Sequence, residues 1–260
     1  MNIVSDLAEG RRILAEAIGA AKRLVLFTGA GVSTESGIPD FRSPGGLWSR
    51  MRPITFQDFV ASEAARLEDW RRRFHLMAEF EAAIPNAGHR AMARLVGSGK
   101  AIALITQNID GLHERSGVPE DRLIRLHGTG THASCLDCHE RMEIAEAEAA
   151  IAATGQSPRC PACGGLIKCA VVSFGQAMPE AEMTRAEAAS RAADLFVAAG
   201  SSLQVHPAAG LPVAARRAGA RLLIVNRDET ALDSLADRVL RGPIGRLFDP
   251  SDDAGRDGAP

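Results

Sequence analysis

Arg23-Leu-Val-Leu-Phe-Thr-Gly-Ala-Gly-Val-Ser33 joins a short apolar run to a glycine turn, and this stretch decides the fold. An apolar run without alternation is typical of a parallel strand that is buried on both faces. Similar runs recur at residues 101–106, 194–199 and 221–225, and residues 6–21 show a helical spacing of apolar side chains. Strands that alternate with helices predict an α/β protein built on a doubly wound parallel sheet.

The composition indicates a globular protein with no general attraction for nucleic acid. The 260 residues are 46% hydrophobic and 24% charged, and the formal net charge is -2. A basic run at Trp70-Arg-Arg-Arg73 is interpreted mainly as a solvated helix face. We see no secretion signal at the N-terminus and no apolar stretch of the roughly 20 residues that a membrane helix needs. We therefore expect a cytoplasmic protein with no specific nucleic-acid or membrane partner.

Four cysteines occur in two pairs, Cys135-Leu-Asp-Cys138 and Cys160-Pro-Ala-Cys163, separated by 21 residues. A two-residue gap lets both thiolates of a pair face one tetrahedral ion, and two pairs complete its shell. The pattern predicts one structural Zn²⁺ with no open position for chemistry. Unliganded cysteines, a redox dithiol, or replacement of one ligand by His132 or His139 are alternatives. Cys169 is left over and is interpreted as a small buried hydrophobe.

The glycine turn Thr28-Gly-Ala-Gly-Val-Ser33 follows the first predicted strand directly. Glycines allow a phosphate to approach the backbone closely, and N–H groups ahead of a helix attract the anion. The turn lacks the three spaced glycines of the dinucleotide fingerprint, so a plain strand-to-helix turn is an alternative. The glycine-rich continuation to Trp48 is too long for a connector, and it predicts a mobile loop that closes over a ligand.

The motifs along the chain, taken in order, resemble those of the sirtuin family. The resemblance covers residues 10–245, and the order and spacing of its motifs are specific. The segment 33–43, together with Arg52-Pro-Ile54 and Asp58-Phe-Val60, is similar to the class II branch. Besides both cysteine pairs, the matching motifs are Gly29-Ala-Gly-Val-Ser33, Ser36-Gly-Ile-Pro-Asp-Phe-Arg42, Thr106-Gln-Asn-Ile-Asp-Gly-Leu-His113, Leu126-His-Gly128, Val172-Ser-Phe-Gly175, Gly200-Ser-Ser-Leu203 and Val225-Asn226.

The resemblance implies a domain organisation with NAD bound between two parts of the chain. A helical insertion at 46–86 and a zinc-ribbon module at 129–169 would interrupt the larger domain. Residues 249–260 are rich in Asp, Gly and Pro, and we expect a disordered tail there. The implied Rossmann-like NAD-binding domain consists of residues 1–45, 87–128 and 170–248.

The activity that the resemblance implies is NAD-dependent removal of acyl groups from protein lysines, which yields nicotinamide and O-acyl-ADP-ribose. His127 matches the general base of the family, and Asn108 is the second residue assigned to catalysis. Histidine suits this role because its ordinary pKa of about 6.5 lies near working pH. Protein mono-ADP-ribosylation in the same pocket and a non-catalytic NAD-responsive module are alternatives. The expected partners are acylated proteins or peptides, and the oligomeric state stays open, a monomer included.

The resemblance also assigns residues to both substrates of this reaction. Ser33 would help to hold the pyrophosphate and ribose, Phe41 would cover the reacting ribose, and Asp110 would bind the nicotinamide carboxamide. The residues expected to pair with an extended peptide by strand addition are Val172, Phe174 and Gly175. The residues expected to contact NAD are Gly29, Ala30, Gly31, Ser33, Glu35, Asp40, Phe41, Arg42, Trp48, Gln107, Asn108, Ile109, Asp110, Gly200, Ser201, Ser202, Asn226, Arg227 and Asp228.

The preferred acyl group is less constrained by the sequence. Family members that prefer malonyl or succinyl lysine use a tyrosine and an arginine, and this chain has no tyrosine. His89 and His113 resemble positions that support a loop or a helix start, while Ser173 and Gln176 depart from the aromatic and acidic residues common at their positions. Four residues predict either an apolar acyl pocket or the core of the small domain, namely Trp70, Phe74, Met77 and Phe80.

Overall fold

The structure is a computed structural model that describes residues 3–41, 46 and 51–249. Two residues expected to contact NAD, Arg42 and Trp48, lie outside the described residues. The expected disordered tail also lies outside them, apart from Asp249, whose carboxylate pairs with Arg94 at 2.6 Å. Within the described part of the chain, no helix combines the length and the apolar character needed to cross a membrane.

A seven-stranded parallel sheet forms the centre of the fold. The strands of the described residues are β1 Ile3–Val4, β2 Leu24–Thr28, β3 Ala101–Thr106, β4 Leu123–Arg125, β5 Gly128–Cys135, β6 Arg141–Met142, β7 Ile167–Val171, β8 Leu195–Ala199, β9 Arg221–Val225 and β10 Arg238–Leu240. The order in the large sheet is β1-β10-β9-β8-β2-β3-β4, and every neighbouring pair is parallel. The four strands predicted from the sequence are β2, β3, β8 and β9, which lie side by side in the middle of this sheet.

Helices connect the strands, and the first four α-helices in chain order begin at side-chain caps. The α-helices of the described residues are α1 Leu7–Ala20, α2 Phe56–Ala61, α3 Glu63–Ala82, α4 Ala87–Gly97, α5 Leu112–Arg115, α6 Ile144–Thr154, α7 Glu180–Ala192, α8 Gly210–Arg217 and α9 Ile244–Phe248. α1 begins where the Asp6 carboxylate accepts a hydrogen bond from Glu9 N at 2.8 Å. α4 begins with a capping box formed by Asn86 and His89.

Successive residues of the central strand β2 point to opposite faces of the sheet. Leu26 packs among residues of α1 and α4, whereas Phe27 packs among residues of α7 and α8. Full burial of one such side chain contributes about 1.5–3 kcal/mol to folding. Helices therefore cover both faces of the sheet, and the predicted doubly wound α/β fold is confirmed.

A smaller antiparallel sheet carries the four paired cysteines. In this sheet β5 pairs with both β6 and β7. Trp70 of α3 is 1% exposed, and it packs into the core of the small sheet with Ala133 and Ile167. The helical segment that contains α2 and α3 therefore shares one core with the cysteine module.

Replacing Gly128 with alanine is expected to lower the free energy of unfolding by about 2–5 kcal/mol. Gly128 has a φ of +74°, and a Cβ there would lie 2.1 Å from the carbonyl oxygen of Ala170. The backbone cannot give way easily because Gly128 pairs with Val171. Urea unfolding measures the loss. Gly155→Ala is the control, since Gly155 has a φ of +67° but open space around it. Equal losses in the two variants would contradict the clash argument.

Candidate active site

The carboxyl ends of four neighbouring strands lie at one edge of the large sheet. Strands β2, β3, β8 and β9 lead there into loops that begin at Gly29, Gln107, Gly200 and Asn226. In open parallel sheets, ligands bind at this edge, where the connections diverge to either side. Strand β2 lies between β3, the next sheet strand along the chain, and β8, which comes much later in the chain. The connections therefore diverge at β2, and the crevice opens at the glycine turn that follows it.

Two glycine-containing loops touch at this edge. Gly31 N donates to Gly200 O at 2.8 Å, and Gly29 N donates to Ala199 O at 3.1 Å. A Cβ on Gly31 would lie 2.8 Å from Gly200 Cα, and Gly200 itself has a φ of +65°. Because the two backbones are in contact, both Gly31 and Gly200 have to be glycine.

A cavity of about 1440 Å³ opens at this edge and extends towards the cysteine module. Every residue of the expected NAD set that the structure describes lines this cavity. His127 and the three residues expected to contact the peptide, Val172, Phe174 and Gly175, line it too. The fold thus brings together segments that lie far apart in the sequence.

Three polar side chains of the expected NAD set form one cluster in the cavity. Ser33 Oγ donates to Asp110 Oδ2 at 2.7 Å, and Asn108 Nδ2 donates to Ser33 Oγ at 3.2 Å. Burial raises the pKa of the Asp110 carboxyl, although hydrogen bonds from Leu112 N and Ser33 act in the opposite direction. The cluster fixes the loop after β3 against the glycine turn.

The ring orientation of His127 is set by the backbone of Gln107. His127 Nδ1 lies 2.9 Å from the carbonyl oxygen of Gln107, and a carbonyl can only accept. Nδ1 therefore carries the proton in the neutral ring, and Nε2 carries the lone pair. Gln107 is itself held by a hydrogen bond from its Nε2 to Ser201 Oγ at 2.8 Å.

A buried polar network supports the glycine turn from within the protein. Thr28 Oγ1 donates to Thr106 Oγ1 at 2.9 Å, and it lies 2.9 Å from His113 Nε2. The His113 ring lies 4.9 Å from that of His89, whose Nδ1 accepts from Asn86 N. Burial lowers the pKa of His89 to about 4 and that of His113 well below its ordinary value, so both rings are neutral. This arrangement agrees with the supporting role expected for the two histidines.

Acidification is expected to destabilise the protein through His89. The pKa of this ring is about 4 in the folded chain, because burial penalises its charged form, and about 6.5 in the unfolded chain. The unfolded chain binds the additional proton between these two values. Stability is therefore lost as the pH falls from about 6.5 towards 4, by up to about 3 kcal/mol for this residue. Urea unfolding between about pH 7 and pH 5 measures the loss.

The matched control for this pH dependence is His89→Gln. Glutamine at this position keeps an acceptor for the capping box of α4 but does not titrate. Its stability should fall less than that of the wild type over the same pH range. Because acid release of zinc would affect both proteins equally, the difference isolates the ring. The same pH slope in both proteins would show that another group titrates.

The end of the cavity beside α9 and the loop after β9 is also shaped by hydrogen bonds. Glu35 Oε1 accepts a hydrogen bond from Gly245 N at 3.0 Å, so this expected NAD contact also anchors the start of α9. Asn226 Nδ2 donates to Asp228 O at 2.8 Å, and Arg227 lies 3.8 Å from the Asp228 carboxylate. These contacts shape the loop that follows β9.

Sequence reasoning missed one wall of the cavity near this end. The missed lining residues are Gly242, Pro243, Ile244 and Arg246. They lie after the short strand β10, which has no apolar run long enough to be predicted. The Gly-Pro pair was the one available signal, since proline is common where a helix begins.

The segment expected to hold a peptide is already hydrogen-bonded within the chain. Phe174 O accepts from Phe56 N at 2.8 Å, and Gly175 O accepts from Gln57 Nε2 at 3.2 Å. The side chain of Gln176, at the position where an acidic residue is common, accepts from Ser173 N at 3.1 Å. A peptide strand must therefore use the remaining backbone groups of this segment or displace the start of α2.

The residues suggested for an acyl pocket divide between two environments. Trp70 and Phe74 stack with ring centroids 5.5 Å apart and pack against the cysteine module, so they belong to the core. Phe80, in contrast, lines the cavity. Met77 packs beside Phe80 without lining the cavity. Arg73 lines the cavity as well, so the basic run is not simply a solvated helix face.

The four paired cysteines form one cluster at the end of the small sheet. Their Sγ atoms all lie within 4.8 Å of one another, and neither His132 nor His139 belongs to the cluster. Cys135 and Cys163 are 3.5 Å apart, as are Cys138 and Cys160. A zinc tetrahedron with Zn–S bonds of about 2.3 Å has edges of about 3.8 Å, so the four thiols fit one Zn²⁺. These residues would hold the ion in a closed, structural site.

A parallel sheet with a large cavity at its carboxyl edge, together with a four-cysteine module beside that cavity, defines a nucleotide-binding α/β protein with a structural zinc site. Direct comparison then gives the family. The profile of the Sir2 family matches residues 29–207, which is more than half of the chain. The chain belongs to the Sir2 family, as the resemblance to sirtuins predicted.

Similar proteins match this chain over nearly their full length. NAD-dependent protein deacetylase 1 of Bradyrhizobium diazoefficiens is 53% identical over 248 residues, which are 95% of this chain and 97% of that protein. NAD-dependent protein deacylase of Ralstonia nicotianae is 41% identical over 233 residues, which are 88% of this chain and 90% of that protein. A solved structure of a Sir2 complex with a p53 peptide and NAD⁺ has a TM-score of 0.82 and 31% identity, and it covers 94% of this chain and 98% of that chain.

Proposed function

We propose that this protein is an NAD-dependent protein lysine deacylase that releases nicotinamide and O-acyl-ADP-ribose. The observation that carries the proposal is the single cavity in which the glycine turn, Asn108, Asp110, His127 and the segment 172–175 meet. Relatives named as NAD-dependent deacetylase and deacylase support it, as does a related structure that holds NAD⁺ and a peptide together.

The chain would divide around this cavity into one large domain with two insertions. Residues 46–86 would form the helical insertion and residues 129–169 the zinc module, in agreement with the core that these two segments share. The remaining segments, 1–45, 87–128 and 170–248, would form the NAD-binding domain. NAD would lie on the large sheet, and the peptide would lie between the NAD-binding domain and the two insertions.

NAD would lie along the carboxyl edge of the large sheet. When bound, it supplies an electrophilic ribose carbon and nicotinamide as the leaving group. Gly31 and Gly200 would let the pyrophosphate approach the backbone, and Asp110 would hold the nicotinamide carboxamide. Asn226 and its neighbours would contact the adenosine half.

His127 would be the general base. Since its Nδ1 donates to the carbonyl of Gln107, its Nε2 is the atom that would remove the proton from a ribose hydroxyl. The same carbonyl would stabilise the imidazolium that forms. Asn108, held by Ser33, would orient the ribose or a water molecule.

Acylated proteins or peptides would be the partners, and the lysine would enter beside Val172 and Phe174. Phe174 is 45% exposed and lines the cavity, so its ring offers apolar contact to the aliphatic stem of the lysine. We assign no nucleic-acid or membrane partner. The protein would act in the cytoplasm, and its oligomeric state stays open.

The proposal is tested with a panel of acyl-lysine peptides that carry acetyl, propionyl, longer fatty and lipoyl groups. Each peptide is incubated with the purified zinc-loaded protein, with and without NAD. We expect NAD-dependent loss of the acyl group and formation of O-acyl-ADP-ribose in equal amounts, both measured by mass spectrometry. An ADP-ribosylated protein acceptor without O-acyl-ADP-ribose would instead establish transfer to protein and overturn the proposal.

A further inference from the structure

A buried lysine lies directly behind the segment assigned to the peptide. Lys168 of β7 is 1% exposed, although lysine is almost never fully buried unless it is paired. Its Nζ donates hydrogen bonds to the carbonyl oxygens of Val171 and Cys169. Taking an ammonium group out of water is costly, so its contacts have to compensate for the lost hydration.

The Val171 carbonyl belongs to the end of β7 that adjoins the cavity, and the Cys169 carbonyl lies two residues earlier in the same strand. Val171 pairs with Gly128, and Val172 N donates to His127 O at 2.9 Å. The Lys168 ammonium therefore holds the end of β7, after which the chain leaves the small sheet and lines the cavity. The position of this strand end determines where the peptide segment begins.

The surroundings of Lys168 join it to the helical insertion as well. Its Nζ lies 5.8 Å from the centroid of the Phe59 ring of α2, within the range of a cation–π contact. The start of α2 also contacts the peptide segment, because Phe56 N donates to Phe174 O. Lys168 therefore lies where α2, β7 and the peptide segment converge.

We infer that Lys168 is a positioning residue for the acyl peptide, holding the end of β7 so that the segment 172–175 faces the bound peptide. The inference rests on the proposed function, since it concerns how the peptide of that reaction is held. Lys168 is not among the residues that line the cavity, so it acts through Val171 and has no contact with NAD.

The Lys168→Met variant tests this inference, because methionine keeps an unbranched side chain but removes the ammonium. We expect the KM for an acetyl-lysine peptide to rise about tenfold, since two carbonyls of β7 lose their donor. The KM for NAD and the zinc content should stay unchanged, and kcat at saturating peptide should stay within about twofold. Steady-state kinetics and thermal unfolding of the full chain measure these values.

Lys100→Met is the matched control. Lys100 Nζ also donates to two backbone carbonyls, those of Gly19 and Ala21, but it does not line the cavity. This variant should lose stability without any change in peptide KM. An unchanged peptide KM in Lys168→Met, or an equal rise in both variants, would overturn the inference. Absence of deacylation in the wild type would overturn the proposed function instead.

A second readout does not depend on whether Lys168→Met folds. Burial lowers the pKa of Lys168 to about 8, and the nearby guanidinium of Arg73 acts in the same direction. We expect the wild-type peptide KM to rise above about pH 8, measured with a peptide that has no titrating side chain. In Lys168→Arg the cation persists to high pH, so its peptide KM should stay level. An equal rise of the peptide KM in Lys168→Arg would overturn the assignment of this pH effect to Lys168.

The neighbours of Lys168 limit the other sources of such a pH effect. Burial raises the pKa of the Cys169 thiol above its ordinary value, which moves its titration away from that of Lys168. The groups packed against Lys168 are the Asp69 carboxylate and the Arg73 guanidinium of α3, the Phe59 ring of α2, the paired Ser134 of β5 and the Cys169 thiol of its own strand.

Discussion

His127→Ala is expected to lower kcat for deacylation by about 10²–10⁴-fold, the usual contribution of a positioned general base. The affinity for NAD should change little, because the glycine turn and the loop after β3 remain in place. The tautomer set by the Gln107 carbonyl leaves Nε2 as the atom that accepts the proton, and alanine has no substitute for it. Mass spectrometry of O-acyl-ADP-ribose measures the rate, and calorimetry measures NAD binding.

His75→Ala is the control for this prediction. His75 lies on α3 with its side chain largely exposed, and it contacts Glu79 at 3.4 Å. Its loss should leave both kcat and KM close to the wild-type values. If His127→Ala deacylated peptides as fast as His75→Ala does, the assignment of the base would be wrong, although the family and fold would stand.

Cys160→Ser is expected to abolish zinc binding and to unfold the small sheet. A serine hydroxyl stays protonated and is a poor ligand for Zn²⁺, whose binding to structural sites contributes on the order of 10 kcal/mol. The module shares its core with Trp70 of α3, so the damage should spread to the helical insertion and its wall of the cavity. We expect less than one zinc per chain, a Tm lower by at least about 10 °C, and loss of deacylation.

Cys169→Ala separates metal ligation from the general effect of removing a thiol. Cys169 is 2% exposed and lies outside the cluster of four cysteines. This variant should keep one zinc per chain and lose only about 1 kcal/mol of stability, because a small side chain is truncated. Full zinc content in Cys160→Ser would mean that this cysteine is not a ligand.

The inner strands of the large sheet could be predicted because each is an uninterrupted apolar run. Strands β2, β3, β8 and β9 are covered by helices on both faces, so burial itself selects their residues. Strands β1 and β10 have only two or three residues each. Such short segments carry no periodicity, so the sequence did not reveal them.

The expected NAD residues came from the resemblance to sirtuins, and the fold accounts for why the described ones line one cavity. Most of them follow the carboxyl ends of predicted strands, and parallel strands deliver these ends to one edge. The wall formed by Gly242 to Arg246 follows the short strand β10 and was missed. The sequence also could not show which apolar residues of α3 face the core and which face the cavity. In the structure, Trp70 packs against the cysteine module and Phe80 lines the cavity.

The sequence by itself determined the class of fold and the cysteine ligand set, because strand burial and ligand spacing follow from local sequence patterns. The resemblance of its motifs to those of sirtuins indicated which segments would meet at the cavity. Only the tertiary structure decided which ring nitrogen of His127 holds the lone pair, which carbonyls of the peptide segment are occupied, and where Lys168 is buried. Each of these depends on how distant elements pack against one another. Local periodicity records that a residue is buried, but not which neighbour it meets.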